Sequence, residues 1–335
     1  MAHIPGVEEP SGWPRPVAAV SRSAYHRARN PIAMAGETSM EFTLLGTGCP
    51  NCDPQRLGPS NLVRHGSHAF LVDCGSGVTQ RLVQAGTPGR DLEALLLTHL
   101  HSDHTVDLLQ LIMSSWHQGR DRPQRILGPK GTRRFVEGLM EFWRPEFEQR
   151  IAHEKRPTTA ALTVEVEEFE DGEIVRHDDI AVRAVRVEHS PIRNAFGFVF
   201  EAGGRKLAFS GDTAYCPALI EAARGADALV HECFIHREMK IVPGVRTREG
   251  TDAVASYHTL SSEVGRVARE AGVRCLVLNH FVPTQFDRKA LLDEVRQDYG
   301  GPIVIGEDLM GIDLARGALT YGQVVIGLES LAPAG

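Results

Sequence analysis

From about Met40 onward the chain alternates between short apolar runs and amphipathic stretches, and this pattern predicts most of its elements. Glu41–Leu45 reads as a strand running into the turn Gly46-Thr47-Gly48. Asn61–Arg64 and His68–Val72 read as further strands, the second ending at Asp73-Cys74-Gly75-Ser76-Gly77. Short runs rich in branched apolar residues mark strands, and apolar residues spaced by three and four mark helices. On that basis strands are expected at 95–97, 125–127, 162–168, 180–187, 196–201, 205–209, 228–230, 275–278 and 303–305. Helices are expected over 78–85, 106–117, 132–152, 218–223, 261–271 and 289–299. In the third of these, Phe135, Leu139, Phe142 and Trp143 share one side and read as core rather than as a substrate platform. Pro145 should break or kink that helix, because proline has no N–H to donate and its ring crowds the preceding turn. A β-rich order with helices in both halves suits two sheets covered by helices better than one alternating parallel sheet.

Residues 1–38 lack this periodicity. They are rich in Pro, Gly, Ser and Arg, and read as an extension, either a tail or an arm that serves a homodimer. Residues 39–335 read as the folded domain. Hydrophobic content of 42% and charged content of 24% are ordinary for a globular protein. The net charge of −7 gives no general attraction to nucleic acid or anionic membrane. No apolar stretch approaches the ~20 residues of a membrane span, and the first residues lack the basic start and apolar run of a secretory signal, so the expected location is cytoplasmic. Cys49-Pro50-Asn51-Cys52 stands without a second pair and reads as a plain loop rather than as a metal or redox site.

Candidate chemistry changes the picture at Thr98-His99-Leu100-His101-Ser102-Asp103-His104, directly after the strand Leu95–Leu97. A turn there can aim His99 and His101 at one metal ion, and Asp103 and His104 at a second. Borderline divalent ions such as zinc accept this mixture of nitrogen and oxygen ligands. Three more candidate ligands follow predicted strands: His189 after Val185–Val187, Asp212 after Ala208–Ser210, and His280 after Leu276–Asn279. Repeated placement at strand ends is what a site built from the loops along one sheet edge requires.

Taken together, these motifs resemble the metallo-β-lactamase superfamily, and within it the branch of ribonuclease Z and related arylsulfatase-type and phosphodiesterase proteins. Leu44-Leu45-Gly46-Thr47-Gly48 and the glycine-rich turn after Asp73 add to the likeness, which runs from about residue 40 towards the C-terminus. The resemblance implies a four-layer αββα sandwich in the α/β class. It implies two zinc ions, with manganese or iron suited to similar donors. His99, His101 and His189 would hold one, Asp103, His104 and His280 the other, and Asp212 would bridge them. A metal-bridging hydroxide would be the nucleophile, because metal binding lowers the pKa of water towards ~7, with Asp103 facing it in some relatives. The resemblance also makes Glu232 the partner that orients His258, and His258 the group that protonates the leaving atom. Asp73 fits a turn-fixing role better than a ligand's, and His117 and His236 read as incidental.

The expected activity is hydrolysis of a small organic ester: a phosphodiester, sulfate ester, lactone or carboxylic ester. The alternative is a ribonuclease Z-type endonuclease in tRNA 3′-end processing, and a further one is a metal-binding protein without turnover. Ribonuclease Z of the familiar kind carries a long tRNA-gripping arm between the counterparts of His189 and Asp212. The short interval here leaves no room for it, which makes nucleic acid the lesser candidate partner.

Overall fold

The structure, a computed structural model, describes residues 39–328 and Leu331; the 1–38 extension lies outside the described residues. The first half of the chain lays down β1 (Met40–Gly46), β2 (Ser60–His65), β3 (His68–Val72), β4 (Ala94–Leu96), β5 (Gln124–Pro129) and β6 (Val164–Phe169). The second half lays down β7 (Gly172–His177), β8 (Ile180–Arg186), β9 (Phe196–Ala202), β10 (Arg205–Phe209), β11 (Ala228–Phe234), β12 (Leu276–Val282) and β13 (Ile303–Ile305). The chain then returns to the first sheet with β14 (Gly311–Asp313), β15 (Ala318–Tyr321) and β16 (Val324–Gly327). The result is a nine-stranded sheet ordered β16-β15-β14-β1-β2-β3-β4-β5-β6 and a seven-stranded sheet ordered β13-β12-β11-β10-β9-β8-β7.

Parallel pairing runs from β3 to β6 and from β10 to β13, and parallel neighbours need crossovers. Helices supply them: α1 (Val78–Gln84), α2 (Leu108–His117) and α3 (Thr132–Glu154) in the first half, and α4 (Pro217–Ala222), α5 (Arg248–Ala255), α6 (Ser261–Ala271) and α7 (Arg288–Val295) in the second.

Alternation along the strands assigns each residue to a layer. In β3, Phe70 and Val72 face the space between the sheets, while Ala69 and Leu71 face α1 and α2 through Leu82, Leu111 and Ile112. In β11, Ala228 and Val230 enter the inter-sheet core, and Leu229 joins Val264, Val267 and Leu291 of the outer helices. Strands buried on both faces read as continuous apolar runs, and the two destinations make four layers, αββα. Edge-to-face rings fill the middle: Phe42 with Phe209 at 6.2 Å, Phe70 with Phe200 at 6.1 Å, and Phe200 with Phe209 at 5.8 Å. Such pairs add about 1 kcal/mol each beyond the area they bury.

Two expectations fail. Helix α3 runs through Pro145, which is exposed, so water can satisfy the carbonyl that loses its partner. Buried Phe147 and ion pairs from Arg150 to Glu146 and Glu154 hold the turn beyond it. Phe142 and Trp143 are exposed by 76% and 37% and are not core; Phe135, Leu139 and Met140 make the contact with the sheet. Strand β7, helix α5 and the strands β14–β16 had no counterpart in the sequence reading. No described helix is long and apolar enough to cross a membrane.

Candidate metal centre

All seven predicted ligands converge where the two sheets meet, six from loops that follow strands and His280 from within β12. His99 to His104 follow β4, with Ser102–His104 forming one tight helical turn. Asp73, in the left-handed conformation (φ 61) after β3, fixes this loop. It accepts the Thr98 N–H at 2.8 Å, the Thr98 hydroxyl at 2.9 Å and the His104 Nδ1–H at 2.8 Å. Asp73 thus orients His104 and joins neither ligand cluster. His99 Nδ1–H donates to Thr98 Oγ1 at 3.0 Å, and His189 Nδ1–H to the Tyr257 carbonyl at 2.9 Å. Tying one ring nitrogen sets the tautomer and frees the other, so both rings present Nε2 to the centre.

Asp212 leaves β10 through Gly211, and only glycine fits there. Its φ is +59, and a Cβ would stand 2.5 Å from the Phe196 carbonyl oxygen. His280 sits on a bulge in β12: Asn279 pairs with Glu232 and Phe281 with Cys233, which leaves His280 unpaired at φ 43. A bulge re-aims a side chain that strict alternation would place elsewhere.

The donors form two clusters, His99, His101, His189 and Asp212, and Asp103, His104 and His280. His101 Nδ1 lies 2.9 Å from His99 Nε2 and 3.3 Å from His189 Nε2. Asp212 Oδ2 lies 3.8 and 4.0 Å from the Nε2 atoms of His99 and His189, and 3.4 Å from those of both His104 and His280. One carboxylate oxygen therefore faces both clusters. Asp103 Oδ2 is 3.4 Å from His280 Nε2 and 3.6 Å from His104 Nε2.

The donor chemistry fits bound cations. His104 Nε2 is buried with no hydrogen-bond partner, and ring nitrogens face one another at contact distance. Burial, reinforced by neighbouring imidazoles, holds His99 well below the usual histidine range, and burial takes His189 down to about 4, so both are neutral as metal ligation requires. At the second cluster burial also pulls downward, but the carboxylates of Asp212 and Asp103 together outweigh it and lift His280 to about 9. The carboxylates favour positive charge there, which a metal ion supplies as well as a proton.

Glu232 and His258 adjoin the clusters. Both are buried, and His258 Nδ1–H reaches both Glu232 oxygens at 2.8 Å. Glu232 Oε1 also accepts the Thr213 N–H at 2.6 Å, tying it to the residue after Asp212. The His258 ring lies 5.1 Å from that of His189 and 5.9 Å from that of His280. Burial lowers the His258 pKa, but the charge and hydrogen bond of Glu232, together with the Asp212 charge, more than reverse this.

Several supports gave no sequence signal. Arg56 is buried with its guanidinium 4.6 Å from the centre of the Phe281 ring, and it donates to Thr47 Oγ1 and the Gly306 carbonyl, both at 2.7 Å. It braces the strand that carries His280. His117 and His236 lie elsewhere, bonding the Met113 carbonyl and Asp252. Cys49, buried with its thiol pushed up to about 11, and exposed Cys52 join no ligand cluster among the described residues.

A four-layer αββα sandwich with paired histidine–aspartate clusters at its edge, a site of the dinuclear type, defines a metal-dependent hydrolase of the metallo-β-lactamase fold. The chain belongs to the beta-lactamase superfamily, whose domain matches residues 68–281. It is 37% identical over 282 residues to a protein of Mycobacterium marinum named Ribonuclease Z, a match covering 82% of this chain and 99% of that protein. Among solved structures it resembles the metallo-beta-lactamase fold protein YhfI from Bacillus subtilis, with a TM-score of 0.66, 20% identity, and 83% and 100% of the two chains covered. It also resembles the short form of human tRNase Z, with a TM-score of 0.61, 23% identity, and 81% and 98% covered.

Proposed function

We propose that this protein is a ribonuclease Z-type endonuclease that cuts an RNA phosphodiester at the 3′ end of precursor tRNA. The observation that carries the reading is the match to the M. marinum Ribonuclease Z over nearly all of that protein. A match of that extent leaves little room for a long arm in the relative, so the short interval between His189 and Asp212 is no obstacle. Hydrolysis of a small organic ester is compatible with the same centre but less specific, and it gives way to the alternative.

Two zinc ions are the proposed occupants, held by His99, His101 and His189 and by Asp103, His104 and His280, with Asp212 shared. Bound there, they would lower the pKa of water and offset charge on the phosphate. The chain's own residues supply the rest. Glu232 holds His258 in one tautomer and stabilises its protonated form. His258 then delivers that proton to the departing oxygen. The segment linking β11 to α5, with the first residues of α5, leads from Glu232 towards His258 and carries Arg237, Lys240, Arg246 and Arg248 against Glu238 and Glu249. Its local excess of positive charge suits phosphate contacts in a chain that is acidic as a whole.

The test is side-by-side turnover, by metal-quantified protein, of a tRNA with a 3′ trailer, bis-p-nitrophenyl phosphate, p-nitrophenyl sulfate and a simple lactone. Cutting at the trailer junction, lost in Asp212→Ala, is the expected result. An inert tRNA beside a turned-over small ester would restore the small-substrate reading.

A further inference from the structure

A second histidine–carboxylate cluster lies at the other end of the sheets. The β2–β3 hairpin turns at Gly66 and Ser67, between the paired residues His65 and His68. The β7–β8 hairpin turns at Asp178 and Asp179, between the paired residues His177 and Ile180. One hairpin belongs to the nine-stranded sheet and the other to the seven-stranded sheet. The length of β3, about 16 Å from His68 to Asp73 at the usual rise per residue, separates this place from the centre described above.

His68, His177 and Asp178 each bring one ligand atom to within 4.8 Å of the others. Asp178 Oδ2 lies 3.6 Å from His68 Nε2 and 3.7 Å from His177 Nε2. Those separations are too long for hydrogen bonds. They are close to the spacing of about 3.4 Å that tetrahedral zinc imposes on ligands held at 2.0–2.2 Å. The two rings meet edge-on, with centroids 4.6 Å apart. Solvated surface histidines would turn to water or bond a carboxylate directly; here one oxygen faces two imidazoles and bonds neither.

The frame around the cluster is fixed. Asp179 pairs with the His65 ring at 3.1 Å and accepts the Gly203 N–H at 3.1 Å, which anchors the turn that presents His177 and Asp178. Asp178 takes φ +50, a left-handed conformation that Asp and Asn tolerate better than most residues. Glu93 Oε2 stands 4.0 Å from His68 Nδ1, beyond hydrogen-bond distance but adding negative charge beside the ring. All three side chains keep part of their surface in solvent, so water can complete the coordination.

We propose that His68, His177 and Asp178 form a separate mononuclear site for a borderline divalent transition-metal ion such as zinc, clipping the two hairpins together across the sheets. Its role is structural: the ion would tie a hairpin of one sheet to a hairpin of the other.

Full-length wild type and a His68→Ala/His177→Ala variant, dialysed against the same low free zinc and analysed by mass spectrometry for metal, decide the matter. The variant should hold one zinc fewer per chain, cleave at an unchanged rate, and lose part of the zinc-dependent rise in Tm. Equal metal content in the two proteins overturns the proposal. Asp178→Asn, which keeps the turn conformation, should weaken this zinc site by more than about tenfold while leaving the Tm of metal-free protein unchanged. Should the double variant not fold, unchanged zinc affinity in Asp178→Asn overturns the proposal alone. The dinuclear centre contributes equally on both sides of each comparison, so these differences do not depend on how it is read.

Discussion

Among the single side chains, Asp212 has the widest reach, because one of its oxygens stands within 4.0 Å of nitrogens from four histidines in both clusters. Asp212→Ala is expected to deplete both metals and abolish turnover; purified variant with full metal content and wild-type activity would remove it from the centre. His258→Ala should separate the two properties, slowing turnover by about 10²–10⁴-fold with metal content unchanged. If metal falls in step with rate, His258 supports ligands and does not move protons. At this scale legibility depended on sequence distance. His99 to His104 could be read because four donors sit within six residues. His68 and His177 gave nothing, since only hairpins from different sheets bring them together, and β7, which carries His177, has too little apolar patterning to be foreseen. The supports around the ligands were equally silent, because Thr98 and Tyr257 act through a hydroxyl and a carbonyl whose directions exist only in the fold.

Secondary elements aim these groups, and their irregularities matter more than their regular stretches. Gly211→Ala would force a Cβ against the Phe196 carbonyl at positive φ. It should cost about 1–3 kcal/mol in urea unfolding and lower metal content together with stability. Arg56→Ala removes a buried charge bonded to Thr47, Gly306 and Glu307. A loss of about 3 kcal/mol is expected, with metal affinity falling as the His280 segment loosens; an unchanged urea midpoint would show that Phe281 needs no such brace. The doubly buried strands were legible as apolar runs, and α6 as an amphipathic helix. The bulge at His280 was not, because the sequence shows an apolar run interrupted by polar residues and nothing of the register that skips one. Proline misled in α3 because its effect depends on whether the freed carbonyl meets water or protein.

For the whole molecule, net charge and local charge point in different directions. Lys240→Ala/Arg248→Ala should raise KM for the trailer-bearing tRNA severalfold and flatten its salt dependence by about 0.7–0.9 in log–log slope per lost phosphate contact. Turnover of bis-p-nitrophenyl phosphate should not change. A uniform loss on both substrates would mean that the segment shapes the centre instead of holding RNA. Two sheets covered by helices were readable from the apolar runs and the helices in both halves, and the family resemblance supplied the four-layer order, whereas the closing strands β14–β16 are short and partly exposed and left little trace. The chain passes once from the first sheet to the second between β6 and β7, and each metal cluster takes ligands from both sides of that crossing. A protein divided there would yield two fragments that each hold only part of every ligand set, so tight metal uptake would report their reunion and turn the centre into a sensor of complementation.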